Sequence, residues 1–240
     1  MAVSSYPLQP IGIVESCFCE KFGIPRQPGL VAAAQGRLRL LPPFDQADTV
    51  RGIEQFSHLW LTFVFHQTAE QGWKPLIRPP KLGGNTRVGV FASRSTFRPN
   101  PIGLSVVELL EVDTTSGVCL TIGGLDLLDG TPVLDIKPYL PYADSLPQAT
   151  GGYAPPAQRF IEQVSWTTQA QQALQQLSPD PSQDHALITA LLQQDPRPGY
   201  QHTESERIYG MQLKVGNVRW RVLPQGAEVI DIEPPSLRLG

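Results

Sequence analysis

The residues best suited to chemistry lie in four loops that mix Pro with polar side chains. They hold Pro25, Arg26, Gln27 and Pro28; Arg78 to Asn85; Arg94, Arg98, Asn100 and Pro101; and Asp129 to Pro132 leading to Asp135, Lys137 and Tyr139. A residue preceding Pro is pushed toward extended backbone, so Arg78, Arg98 and Asn100 have little conformational freedom to lose. Rigid loops carrying Arg, Gln and Asn cost less entropy to organise around a ligand. Strand termination alone would account for one or two such loops, and four point to a binding site. Asp135 and Lys137 are two apart on an extended segment and share a face. That spacing fits a surface ion pair as well as a site in which Lys137 lowers the pKa of a proton-accepting carboxylate.

Other chemistries are disfavoured. His58 and His66 share a face but lie eight residues apart, about 26 Å along a straight strand, too far to share a metal ion. Cys17, Cys19 and Cys119 are an odd number without metal-ligand spacing, which argues against a disulfide framework or structural zinc and for a reducing compartment. No metal is expected. Nucleophile elbow, P-loop and strand-linked dinucleotide fingerprint are all absent.

The elements that must position these loops are short. Of 240 residues 24 are Pro, about twice the usual share, which rules out long uninterrupted helices. Period-two apolar runs at 11–15, 37–41, 56–66, 87–93, 104–112, 118–122 and 133–137 predict a mainly β protein built on a barrel or sandwich of about seven strands. The clearest is 56–66, where Leu59, Leu61, Phe63 and Phe65 point one way. Pro, Gly and Ala mark a linker at 147–156. Beyond it, two helices ending before Pro179 and Pro196, a hairpin turning at Gly216-Asn217 and a third strand at 229–232 predict a small α+β domain over 157–240. The barrel domain is assigned to 1–146.

Net charge is −3, so no global field announces a nucleic acid. Yet Lys74, Arg78, Lys81, Arg87, Arg94 and Arg98 fall between Gln71 and Val107 without one acidic residue, a local basic patch. Neither a signal-peptide pattern nor a membrane-length apolar run is found, so no membrane association and a cytoplasmic location are expected.

In series, KFGIPRQPGL at 21–30, GIEQFSHLWL at 52–61, RPPKLGGN at 78–85, FASR at 91–94, RPNPIGLS at 98–105 and DLLDGTPVLDIKPY at 126–139 resemble the TrmO (YaeB, TsaA-like) family of S-adenosylmethionine-dependent tRNA methyltransferases. DPRP at 195–198 with Tyr200, and RIYGM at 207–211, extend the resemblance into the tail. It implies a single-sheeted β-barrel with a small C-terminal domain, a homodimer, and methylation of N6 of threonylcarbamoyladenosine at position 37, beside the anticodon of threonine tRNA. It also implies S-adenosyl-L-methionine near Arg26, Gln27, Pro28, His66, Gln67, Arg94, Leu104, Gly130, Thr131, Pro132 and Val133.

Transfer from a sulfonium is an in-line displacement in which alignment dominates, and the acceptor N–H must lose its proton. Asp135 is the first candidate for that proton and Tyr139 the second; the substrate's own carboxylate is a further one. Arg94 and Arg98 suit a carboxylate or anticodon-loop phosphates, and Lys81, Arg98, Arg219 and Arg221 are the candidate RNA contacts. Trp73 and Phe97 are either buried or base-stacking platforms. The alternative is a non-catalytic RNA-binding β-barrel.

Overall fold

The structure, a computed structural model, describes residues 6–79, 82, 85–154, 161–197 and 207–235. Strands β1 (Gly12–Ser16), β2 (Gly36–Leu40) and β3 (His58–Val64) precede helix α1 (His66–Ala69) and the short strands β4 (Leu76–Ile77) and β5 (Val88–Gly89). Then come β6 (Ile102–Asp113), β7 (Cys119–Gly123), β8 (Thr131–Pro138) and α2 (Pro141–Asp144). The tail holds β9 (Val164–Trp166), α3 (Thr168–Leu177), α4 (Pro181–Gln193), β10 (Tyr209–Leu213), β11 (Gly216–Leu223) and β12 (Gly226–Glu233). No described helix is long and apolar enough to cross a membrane.

Six strands close an antiparallel barrel in the order β1-β2-β7-β6-β3-β8. Closure follows from alternation. Leu59, Leu61 and Phe63 of β3 point inward with Val14, Leu38, Val107, Leu120, Ile122 and Val133, and burying a side chain of this size contributes roughly 1.5–3 kcal/mol. The seventh expected strand, 87–93, is not a stave. Its first residues pair with β4 as a separate two-stranded sheet, and Val90–Ala92 turn into a 3-10 helix. Val88, Val90 and Ala92 keep the apolar alternation, but the run pairs with β4 and not with a barrel strand, so it adds no stave.

The tail forms a four-stranded sheet, β10-β11-β12-β9, backed by α3 and α4. Thr167 caps α3 by accepting from Ala170 N, and Asp180 caps α4 ahead of Pro181. The hairpin turns at Lys214-Val215, two residues earlier than expected, since Leu213 pairs with Gly216. Trp166 lies in β9, parallel to β12 and just ahead of α3.

Barrel and tail share one hydrophobic cluster. Phe18, fully buried, bridges to Leu213, and Lys214 N donates to Cys17 O at 3.0 Å. Gly23 has φ +90°, and a Cβ there would lie 2.3 Å from Met211 Sδ, so only glycine lets the loop after β1 rest on the tail.

Candidate active site

At one end of the barrel β3 runs out, β6 begins and β7 leads toward β8, so loops converge there. They enclose a groove of about 400 Å³ lined by Pro25, Arg26, Gln27, Phe63, Phe65, Ser93 to Thr96, Arg98, Ile102 to Ser105, and Asp126. Its volume lies in the usual range for small-molecule sites.

The floor is set by Gly103 opposite Phe63. A Cβ at Gly103 would meet the Phe63 ring at 2.3 Å, so the missing side chain is what lets the ring lie across the strand. Phe63 and Phe65 pack edge to face at 5.2 Å and form an apolar wall. Opposite stands the 25–29 loop, tied to the β7–β8 connection by Gly29 N to Gly124 O at 2.8 Å. Arg26 Nη2 reaches the main-chain oxygen of Arg197 at 3.2 Å.

The remaining side is the 93–98 loop, which bonds largely to itself. Ser93 Oγ donates to Val90 O and accepts from Ser95 N, and Ser95 Oγ accepts from Phe97 N. Arg98 Nη1 donates to Ser93 O at 2.9 Å and to Val90 O at 3.3 Å. Arg94 donates to Gln27 Oε1, linking two of the expected cofactor positions.

Ser105 is buried on the inner face of β6, and its Oγ donates to Asp126 Oδ1 at 2.8 Å. Burial pushes the Asp126 carboxyl up to about 6, against the Ser105 bond and the Arg94 charge, which hold it down. Asp126 is the one carboxylate lining the groove among the described residues.

The structure thus brings together Arg26, Gln27, Arg94, Leu104 and Arg98. His66 and Gln67 follow directly on Phe65 at the start of α1, and burial lowers the His66 pKa. Pro28 lies just behind the groove-lining Gln27. Gly130, Thr131, Pro132 and Val133 lie at the same end of the barrel but between β1 and β3, with Thr131 Oγ1 turned to Leu128 O and Val133 in the core.

Asp135 and Tyr139 do not reach the groove. The β3–β8 register shifts between Thr62 and Phe63, where Leu134 is the additional residue. This bulge reverses the alternation, so Asp135 and Lys137 share the exposed outer face and Asp135 Oδ1 accepts from Ile136 N. Tyr139 N bonds His58 O at the far end of β3, about 17 Å along the strand from Phe63.

Arg219 pairs with Glu233 at 3.1 Å and Arg221 with Glu228 at 2.6 Å across the tail sheet. Lys81 lies outside the described residues. Trp73 is exposed, whereas Phe97 is partly covered by Lys74 Nζ at 4.3 Å.

Sequence reasoning missed Asp126, Ser105, Phe63, Phe65 and the Arg197 carbonyl as parts of one site. Asp126 does open the motif at 126–139, but the turn from Gly130 to Val133 and the Asp135–Lys137 pair carry the stronger local signal there.

Comparison with known proteins agrees with this architecture. Residues 13–145 match the family model of the tRNA-methyltransferase O N-terminal domain, and 161–235 that of the TrmO C-terminal domain. The chain is 53% identical over 234 residues to tRNA (adenine(37)-N6)-methyltransferase of Escherichia coli K12, covering 97% of this chain and 100% of that one. It is 48% identical to the Pseudomonas aeruginosa protein RcsF, described provisionally as an S-adenosylmethionine-dependent methyltransferase, over 95% of this chain and 98% of that one. The crystal structure of TrmO from Pseudomonas aeruginosa superposes with a TM-score of 0.78 at 43% identity, covering 96% of this chain and 100% of that one.

Proposed function

The chain belongs to the tRNA-methyltransferase O family, and from that premise we propose that it transfers a methyl group from S-adenosyl-L-methionine to N6 of threonylcarbamoyladenosine at position 37 of threonine tRNA. The observation that carries the reading is the groove, where Arg26, Gln27 and Arg94 from two distant loops face an aromatic wall.

The groove's donor set fits the cofactor. Guanidinium groups of Arg26 and Arg94 and the Gln27 amide suit its carboxylate, and the Phe63–Phe65 wall suits its adenine and sulfonium. When bound, it supplies a methyl group activated by the positive sulfur. The protein's own share is alignment: the 93–98 loop, braced by Arg98, and the 25–29 loop, braced on Gly124 and Arg197, hold their donors without reorganisation.

For the RNA, the reading uses the exposed face beside the groove. Trp73 and Phe91 are exposed there, with Arg98 over Phe91 at 5.8 Å, a surface suited to unstacked loop bases. The 1–146 barrel domain with its 147–156 linker would hold the groove, and the 157–240 domain would assist tRNA docking. A homodimer in the cytoplasm completes the reading.

The test is methyl transfer from labelled S-adenosylmethionine to threonine tRNA with and without the threonylcarbamoyl group. Label in the modified tRNA alone is expected. Label in neither overturns the activity, and equal label in both overturns the substrate.

A further inference from the structure

We infer that Asp126 is the catalytic base that takes the N6 proton of the acceptor. The inference rests on the methyl-transfer reading above. Asp126 is the one carboxylate lining the groove among the described residues. It stands on the connection between β7 and β8, reached through Leu125, whose N–H is fixed to Ala34 O at 3.0 Å. Ser105 Oγ engages Oδ1 at 2.8 Å, and no hydrogen bond from another described residue engages Oδ2. One oxygen is therefore anchored and the other is open to a ligand's N–H, the arrangement a positioned base requires.

The surroundings suit the task. The other charged side chains lining the groove are Arg26, Arg94 and Arg98, all cationic. Arg94 and the Ser105 hydroxyl favour the carboxylate, while burial favours the acid. These opposed effects put the Asp126 carboxyl at about 6, ionised at neutral pH yet able to hold a proton. The outer-face Asp135 and the distant Tyr139 have no comparable access.

The step balances. The N6 lone pair forms the new N–CH₃ bond as the carbon–sulfur bond breaks and its electron pair stays on sulfur. The N6 proton passes to Asp126 Oδ2. The positive charge lost from sulfur thereby ends by neutralising the carboxylate, and no ion is left uncompensated in the groove.

The experiment compares wild type, Asp126→Asn and Ser105→Ala in single-turnover methyl transfer to threonylcarbamoylated threonine tRNA from pH 5 to 9. Calorimetric affinity for S-adenosylmethionine is measured alongside. The wild-type rate should rise with pH through an inflection near 6 and then level. Asp126→Asn should bind the cofactor within about threefold of wild type, lose roughly 10²–10⁴ in rate and lose the inflection. Ser105→Ala removes a bond to the ionised form, so its inflection should move to higher pH.

An Asn variant as fast as wild type overturns the role. So does a loss of cofactor affinity as large as the loss of rate, which would make Asp126 a counter-ion of the cofactor. If Asp126→Asn fails to fold, an unmoved inflection in Ser105→Ala overturns the proposal and a raised one supports it. Wild type inert toward modified and unmodified tRNA alike overturns the methyl-transfer reading itself.

Discussion

Arg26 Nη2 donates to the main-chain oxygen of Arg197 at 3.2 Å, joining the groove to the tail across 171 positions. The acceptor is fixed because Arg197 forms a bidentate pair with Asp195 at 2.7 and 2.8 Å, each 5% exposed. Asp195 has φ 44°, a conformation Asn also tolerates, so Asp195→Asn removes charge without adding backbone strain. It leaves a buried guanidinium without its paired charge, and breaking a buried pair costs roughly 3–5 kcal/mol. Urea unfolding should show a loss of that order, and calorimetry a weaker affinity for S-adenosylmethionine as Arg26 loses its brace.

Gly103→Ala tests the groove floor. Its Cβ would stand 2.3 Å from the Phe63 ring and 2.8 Å from that of Phe65, and overpacking of this kind costs roughly 1–3 kcal/mol. The variant should unfold at lower urea and bind the cofactor less tightly. Adding Phe63→Leu should recover part of the stability, giving a coupling energy in a double-mutant cycle. Strictly additive effects would mean that the two residues do not meet.

These two relationships show what a sequence can and cannot carry. The barrel staves were legible because inward positions such as Leu59, Leu61 and Phe63 alternate strictly, a pattern set locally. Residues 87–93 share that alternation yet pair only with β4, because stave membership is decided by partners distant in sequence. Trp166 fits helical spacing with Ala170 and Leu174, but β12, some sixty residues later, recruits it into a parallel strand, and its ring stacks on His185 at 4.4 Å. The proline loops and Arg26, Gln27, Arg94 and Leu104 could be named from sequence. Asp126 could not, because its partner Ser105 is fixed by barrel register. Asp135 turns away from the groove through the single additional residue Leu134, a bulge that alternation alone would not reveal.

Salt dependence of tRNA binding separates paired from available cations. Arg219 and Arg221 are each ion-paired across the tail sheet, so replacing both with Ala should change the slope of log K against log salt by well under one unit. Arg78 and Arg87 are exposed and pair with no described acidic residue. Replacing both with Ala should flatten the slope by about 0.7 for each single-stranded RNA phosphate that is no longer neutralised. A large change for the tail pair would show that those ion pairs open for phosphate.

The Asp126 carboxyl also leaves a thermodynamic signature independent of catalysis. Its folded pKa, about 6, lies above the ordinary aspartate value of 3.8 because burial penalises the charge. Between those two values the folded state therefore binds more protons than the unfolded state, so this group's contribution to stability falls as pH rises from about 4 to about 6 and is constant above. A shift of about two units corresponds to roughly 2–3 kcal/mol. Asp126→Asn keeps a similar shape but cannot ionise. Its stability relative to wild type should therefore grow across that window and level near pH 7, as read from urea unfolding at fixed ionic strength. A difference that is flat from pH 4 to 7 would mean that the carboxyl titrates alike in both states, and the strained ionisation assigned to Asp126 would be lost with it.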